Sequence, residues 1–229
     1  MPTRLYQPEN GRLPSALVDE WRKVPAAVAA DLLRGKGHVD PGIRPLRPFG
    51  SRTWLVGQAI TAWCEAADYG SVHHAINIAE AGDVVVVDAG GRSDAAMIGE
   101  LLSGAARRKG IAGVIVDGAV RDAGVLSGWP DFAVFSRWIT PRGPSSMERG
   151  TVNEPIVFGG VPVSPFDLLI GDDDGLVIVP RERVEELLPA ALARVEAEVE
   201  WEAVLATGKT TLEVFNVPKV EQDPKIGTD

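Results

Sequence analysis

The sequence predicts an α/β protein: a single domain with a parallel or mixed sheet and helices packed on it. Residues 84–87 are all valine, and the segment 113–117 contains the run Val114-Ile115-Val116; such unbroken β-branched runs are typical of strands buried on both faces. Residues 99–109 between them have the composition of a helix that ends at Gly110. Because a strand–helix–strand order favours a parallel connection, the centre of the chain indicates an α/β core.

The first third of the chain is less regular. Residues 1–16 carry three prolines and a glycine and are expected to form an irregular arm. We expect a helix that begins near Ser15 or Pro25 and covers residues 24–33, and then a Pro/Gly-rich loop over residues 35–50. Residues 54–62 predict a strand and residues 73–79 a short helix.

The last part of the chain turns to short strands and one long helix. A third central strand is expected over residues 132–136, and short strands over 155–158, 161–163 and 176–179. The acidic run at 172–174 before Gly175 predicts a hairpin turn. Residues 181–207 predict a long amphipathic helix. We therefore divide the chain into an arm (1–24), one domain (25–216) and a polar tail (217–229).

Composition excludes several classes of protein. The chain has 229 residues, with 23 Lys and Arg against 32 Asp and Glu, a net charge of −9, which argues against nucleic acid and anionic membrane surfaces as partners. The single cysteine, Cys64, excludes an intramolecular disulfide and a Cys-rich zinc site. With no signal peptide and no apolar run long enough to span a bilayer, a cytoplasmic protein is expected.

Two segments that flank the predicted helix 99–109 carry candidate site residues. Gly99 to Leu102 open this helix, where free N–H groups would suit a small carboxylate, although on these residues alone a turn that uses glycine for backbone reasons is favoured. Arg121 and Asp122 leave the end of a buried strand. Arg121 could bind a carboxylate through paired donors, and Asp122 could offer an oxygen to Mg²⁺ or Mn²⁺. A surface ion pair is the alternative, and the position at the strand end favours a functional role.

Several motifs occur in an order that resembles a known family. They are 99–102 (GELL), 113–118 (GVIVDG), 121–122 (RD), 140–144 (TPRGP) and 171–175 (GDDDG). Together they resemble the RraA-like family, which includes 4-hydroxy-4-methyl-2-oxoglutarate/4-carboxy-4-hydroxy-2-oxoadipate aldolases. The resemblance covers about residues 25–215. It implies a β/β/α core of the swivelling-domain type with a central mixed sheet and a long C-terminal helix, assembled as a homotrimer or a dimer of trimers.

The resemblance also implies roles for individual residues. Asp122 resembles the direct metal ligand, and Arg121 the arginine that binds pyruvate. Glu100 stands where the family places an acidic residue that holds a water on the metal. The amides of Leu101 and Leu102, in the segment that begins at Gly99, would meet the pyruvate carboxylate. An acidic residue from a neighbouring subunit would complete the site, and either Glu196 or Glu198 fits, although the default for both is a solvated helix face.

The function that follows from the resemblance is that of a divalent-metal-dependent aldolase. It would use Mg²⁺ or Mn²⁺ to cleave a 4-hydroxy-2-oxo acid to pyruvate, and oxaloacetate decarboxylation would accompany it because both reactions pass through the same enolate. One alternative is a non-catalytic regulator that binds and inhibits a ribonuclease. Another is an enzyme of the same fold that acts on a different oxo or sugar acid. The presence of Glu100, Arg121 and Asp122 together favours the aldolase.

Overall fold

The computed structural model describes residues 2–47 and 53–220. The strands are β1 (Arg4–Leu5), β2 (Arg44–Pro45), β3 (Trp54–Trp63), β4 (Val84–Asp88), β5 (Ala96–Ile98), β6 (Gly113–Val120), β7 (Ala133–Ile139), β8 (Thr151–Val152), β9 (Ile156–Phe158), β10 (Val161–Val163), β11 (Leu168–Asp172) and β12 (Gly175–Val179). The helices are α1 (Ser15–Trp21), α2 (Ala26–Leu32), α3 (Gly70–Ile78), α4 (Glu100–Arg108), α5 (Ala123–Leu126), α6 (Val184–Ala206) and α7 (Thr211–Val214), with a 3₁₀ turn at Arg181–Arg183.

A mixed sheet forms the centre of the molecule, as the sequence predicts. Strands β3, β4, β6 and β7 are neighbours in that order and run parallel. The long strand β3 joins two parts of the sheet: its second half pairs with β4, and its first half pairs antiparallel with β11, which in turn pairs with β12. Residues 84–87 of β4 and 114–116 of β6 are fully buried, which explains their unbroken aliphatic sequence.

Helices cover one face of this sheet, and the opposite face packs against β9 and β10. Side chains of α3 and α4 pack against β4 and β6 in one apolar cluster, and those of α1, α2 and α6 pack against β11 and β12 in another. Trp21 of α1 is fully buried and its indole N–H donates to the carbonyl of Val184 at 3.1 Å. Residues 15–24, the end of the expected arm, therefore contribute to the core.

Several expectations about single elements need correction. The helix expected over 24–33 is α2, which begins after Pro25, one of the two expected starts, and the other expected start, Ser15, opens a separate helix, α1, that ends at Trp21. The expected irregular arm contains β1, and the described part of the expected loop, residues 35–47, contains β2. Strands β5 and β11 were not predicted. The expected hairpin is confirmed, since Asp172 of β11 pairs with Gly175 of β12.

The C-terminal region contains the long helix that the sequence predicts. The helix α6 has 23 residues and packs on α1 and α2. Residues 217–220 of the expected tail have no regular structure, and residues 221–229 lie outside the described part of the chain. None of the helices within residues 2–47 and 53–220 combines the length and the apolarity needed to cross a bilayer.

Candidate functional site

The candidate site lies where β6 ends and α4 begins. Strand β6 continues beyond Asp117 to Val120, and Arg121 and Asp122 follow it directly. The short strand β5 pairs with this extension, and the N–H of Arg121 donates to the carbonyl of Ile98 at 3.0 Å. This pairing brings Gly99 and Glu100, at the start of α4, alongside Arg121 and Asp122.

Asp122 links the two segments through its side chain. Its Oδ2 accepts a hydrogen bond from the backbone N–H of Glu100 at 2.9 Å and lies 3.7 Å from Nε of Arg121. Its Oδ1 has no hydrogen-bond partner among the described residues. Asp122 has a left-handed backbone (φ +57°), which Asp tolerates better than most residues and which directs its carboxylate back toward α4. One oxygen of the carboxylate, Oδ2, is thus held by a hydrogen bond, and the other, Oδ1, is available to a ligand.

Gly99 is needed for this approach. A Cβ at Gly99 would lie 2.5 Å from Oδ2 of Asp122 and 2.8 Å from Cγ of Arg121, distances that a real side chain does not tolerate. Gly99 precedes the first turn of α4, where the N–H groups of Leu101 and Leu102 have no intrahelical acceptor. These two groups and the helix dipole favour an anion at this helix end.

Two cavities meet at Arg121. The larger has a volume of about 430 Å³, and its walls come from α4, from the residues after β6 and from the end of β7 and beyond (Glu100, Leu101, Arg121, Asp122, Ile139, Thr140 and Pro141). The smaller, of about 170 Å³, is lined by Tyr69, Ala96, Met97, Ile98, Gly99, Leu101, Leu102, Arg121, Gly143 and Pro144. Arg121 and Leu101 line both cavities. Arg121 therefore lies at the boundary between a cavity with two carboxylates and one lined mainly by apolar residues.

The donors in the larger cavity fit a hard divalent cation that keeps part of its water shell. Among the residues that the structure describes, no group of three His, Cys, Asp or Glu side chains could hold a metal ion. Asp122 and Glu100 nevertheless supply two carboxylates at one cavity, and one or two carboxylates with several waters is the usual environment of Mg²⁺. Asp122, with its available Oδ1, is the residue that would ligate the cation.

The structure brings together six of the seven expected site residues. Gly99, Glu100, Leu101, Leu102, Arg121 and Asp122 line the two cavities. Glu198 does not line either one: it is on α6, and its carboxylate accepts a hydrogen bond from Nε of Arg194 at 2.9 Å. Glu196, on the same helix, does not line them either.

Sequence reasoning missed one wall of the site. Ile139, Thr140 and Pro141 line the larger cavity, and a Cβ at Gly143 would lie 2.9 Å from Nη1 of Arg121. Thr140, Pro141 and Gly143 belong to the motif at 140–144, to which the sequence assigned no chemistry. Strand β7 ends at Ile139, beside the extension of β6. Because these two strands are parallel, the residues that follow them meet at the same edge of the sheet, and this pairing was the signal that could have identified the wall.

The fold and this strand-end site define an α/β protein with an arginine, Arg121, and two carboxylates, Glu100 and Asp122, at one cleft. The profile of the RraA-like family, described as Aldolase/RraA, matches residues 16–178. The chain belongs to the RraA-like family.

Individual relatives agree with this membership. A Halalkalibacterium halodurans protein named "Putative 4-hydroxy-4-methyl-2-oxoglutarate aldolase" is 34% identical over 174 residues, 76% of this chain and 81% of the relative. An uncharacterized protein from Pseudomonas syringae pv. tomato has a similar solved structure, with a TM-score of 0.79, 26% identity, and coverage of 90% of this chain and 100% of that one. A Streptomyces coelicolor protein, described as an unusual member of the RNase ES inhibitor RraA protein family, has a TM-score of 0.73 and 27% identity, with coverage of 82% and 96%.

Proposed function

We propose that this protein is a divalent-metal-dependent lyase that cleaves a 4-hydroxy-2-oxo acid of the 4-hydroxy-4-methyl-2-oxoglutarate type to pyruvate. The observation that carries the proposal is the meeting of Arg121, Asp122 and the free N–H groups of α4 at one cleft. The name of the H. halodurans relative supports the same chemistry. Oxaloacetate decarboxylation is expected as a side activity.

Binding of the 2-oxo acid uses the positive groups at the junction of the two cavities. The N–H groups of Leu101 and Leu102 and the guanidinium of Arg121 surround a space that suits a carboxylate. The adjacent 2-oxo oxygen then faces Arg121 and Asp122. In this position Arg121 donates to the oxygen on which negative charge develops, and that contribution increases toward the transition state.

Cleavage breaks the C3–C4 bond of the substrate. The bonding electrons remain on the pyruvate fragment as an enolate, which is protonated at C3 on release, and the proton of the 4-hydroxyl must leave. Glu100 lines the cavity beside Asp122 and accepts this proton through a water molecule. When bound at Asp122, Mg²⁺ or Mn²⁺ supplies Lewis-acid polarisation of the 2-oxo group.

A second copy of the chain completes the site in this proposal. We assign the additional carboxylate to Glu198 of a neighbouring subunit, with Glu196 as the alternative, within a trimer or a dimer of trimers. The test mixes Asp122→Ala subunits with Glu198→Ala subunits. If each site takes Asp122 from one chain and Glu198 from another, roughly a quarter of the interfaces in a random mixture regain both residues, and activity returns. If the mixture stays inactive, Glu198 does not act across the interface, and a mixture with Glu196→Ala subunits then examines the alternative residue.

The main test is pyruvate release, coupled to NADH oxidation by lactate dehydrogenase. The substrates are 4-hydroxy-4-methyl-2-oxoglutarate and oxaloacetate, each with Mg²⁺, with Mn²⁺ and with EDTA. Turnover that requires the metal supports the proposal, and the ratio of the two rates ranks the two reactions. Metal binding without pyruvate release points to another oxo or sugar acid. The absence of both, together with a stoichiometric complex with a ribonuclease, supports the regulator function that the description of the S. coelicolor relative suggests.

A further inference from the structure

A cavity of about 650 Å³ lies at the C-terminal ends of β3 and β4, away from the cleft at Arg121. None of its lining residues belongs to either cavity of the candidate site. Its lining residues are Pro2, Arg4, Tyr6, Trp63, Glu65, Asp88, Gly150, Thr151, Glu154, Pro155, Ile156 and Val157. We propose that this cavity binds an organic cation of the alkylammonium class, between the carboxylate of Asp88 and the rings of Trp63 and Tyr6.

The strand register places four residues of this cavity in one row. Arg4 pairs with Thr151, Thr151 with Trp63, Trp63 with Asp88, and Asp88 with Asp117, across five neighbouring strands. Residues paired in this way point to the same face of a sheet. Four members of the row, all except Asp117, line the cavity.

Asp88 is the carboxylate of this row that lacks a cation. Its neighbour Asp117 is bound by Nε of Arg137 at 2.7 Å. Asp88 has no ion pair with any described residue, and it accepts one hydrogen bond, from the N–H of Gly90 at 2.8 Å. Partial burial, with a smaller contribution from Asp117, raises the pKa of Asp88 above its ordinary value. A bound ammonium group would supply the missing positive charge.

Thr151 lines the cavity, but its Oγ1 atom is buried and makes no hydrogen bond with the described residues. Because this atom has no exposed surface, the ligand contact in this proposal is the Asp88 carboxylate. An ammonium group has three donors, one of which suits this carboxylate.

Aromatic rings and acidic side chains select the class of ligand. Trp63 and Tyr6 are 38% and 37% exposed, and rings of this kind attract cations through their faces. Of the charged residues that line the cavity, three are acidic (Glu65, Asp88 and Glu154) and one is basic, Arg4. The net charge of −9 adds a field that favours cations over anions.

One wall of the cavity is particular to the N-terminal segment. Pro2, Arg4 and Tyr6 precede residue 16, where the match to the family profile begins. Backbone hydrogen bonds fix this segment: the N–H of Arg4 donates to Gly150 at 3.0 Å, and that of Tyr6 donates to Val152 at 2.9 Å. The proposed site therefore depends on a segment that precedes the residues matched by the family profile.

Calorimetric titration of the full-length protein at low ionic strength tests this site. The probe is 1,4-diaminobutane, and succinate is the anionic control of similar length. We expect the diamine to bind with a Kd of about 1 mM or tighter, and succinate not to bind. Asp88→Asn keeps the acceptor for Gly90 and removes the charge, so the affinity should fall at least about tenfold.

Matched variants separate binding from folding and from the lyase proposal. Asp94→Asn removes one exposed negative charge elsewhere, and Asp122→Asn alters the lyase cleft; both should bind the diamine like the wild type. No diamine binding at about 10 mM, an equal affinity in Asp88→Asn, or tighter binding of succinate would each overturn the proposal.

Discussion

The backbone N–H of Glu100 donates to Oδ2 of Asp122 at 2.9 Å, so the first residue of α4 is bonded to the residue that follows β6 and Arg121. This bond crosses 22 residues of sequence and fixes the helix N-terminus against the end of a central strand. It uses one oxygen of the carboxylate and leaves Oδ1 available at the cavity. Asp122 therefore has a structural contact and a proposed chemical role on different atoms.

Substitutions at Asp122 separate these two roles. Asp122→Asn retains a side-chain oxygen for the N–H of Glu100 and tolerates the left-handed backbone, so the free energy of unfolding should change by less than about 0.5 kcal/mol. Asp122→Ala loses both the acceptor oxygen and the tolerance of the left-handed backbone, so the free energy of unfolding should fall by about 1–2 kcal/mol. Urea denaturation without metal measures both values. If Asp122→Asn were as destabilising as Asp122→Ala, the carboxylate charge itself would be structural.

Gly99→Ala should impair the site without unfolding the protein. The new Cβ would lie 2.5 Å from Oδ2 of Asp122 and 3.0 Å from Nε of Arg121, and both atoms belong to side chains that can move away. We expect the rate of pyruvate release to fall at least about tenfold, because displaced catalytic groups lose their alignment. Gly124→Ala is the matched control, because its Cβ would meet nothing within 4 Å. Similar activity in the two variants would show that the spacing at Gly99 is unimportant.

Asp68 makes the protein sensitive to acid. Its side chain is fully buried, which alone would raise its pKa. Hydrogen bonds from Ser146 and from the N–H groups of Gly70, Arg149 and Glu148 outweigh that effect and lower the pKa to about 2. Since the folded pKa is lower than the unfolded value, Asp68 stabilises the fold above about pH 4, and this contribution is lost as the pH falls toward about 2.

The variant Asp68→Asn tests this contribution. It should lower the free energy of unfolding at pH 7 by about 1–3 kcal/mol, because N–H donors lose a charged acceptor. Between about pH 4 and pH 2 its stability should fall less steeply than that of the wild type. Urea denaturation at a series of pH values measures both slopes. Parallel curves for the two proteins would contradict the assigned pKa of Asp68.

The sequence predicts well those elements in which several consecutive residues are buried and apolar. Residues 84–87 are all valine because β4 is buried on both faces. An unbroken run of this kind predicts the strand directly. Strand β5 has only three residues, and its pairing with β6 depends on a register shift, so local sequence carries little signal for it. Pro25 and Ser15 were both visible helix starts, and each of them opens a helix of its own.

The candidate site was predictable to the extent that it depends on strand ends. Arg121 and Asp122 follow a buried strand, so their residue types and positions were informative, whereas the role of Glu100 came only from the family resemblance. The bond between Asp122 and Glu100 depends on β5, which the sequence did not reveal. Thr140 reaches the cavity only through the pairing of β6 with β7. The role of Glu198 depends on a second chain and stays a prediction.

The most direct measurement of the central claim is the rate of pyruvate release from 4-hydroxy-4-methyl-2-oxoglutarate with Mn²⁺, compared between the wild type and Asp122→Asn. Both proteins are first shown to unfold at the same urea concentration. The account predicts metal-dependent release by the wild type and a rate at least about a hundredfold lower for Asp122→Asn, with Asp94→Asn unchanged. Equal rates for the wild type and Asp122→Asn would contradict the assignment of Asp122 as the metal ligand.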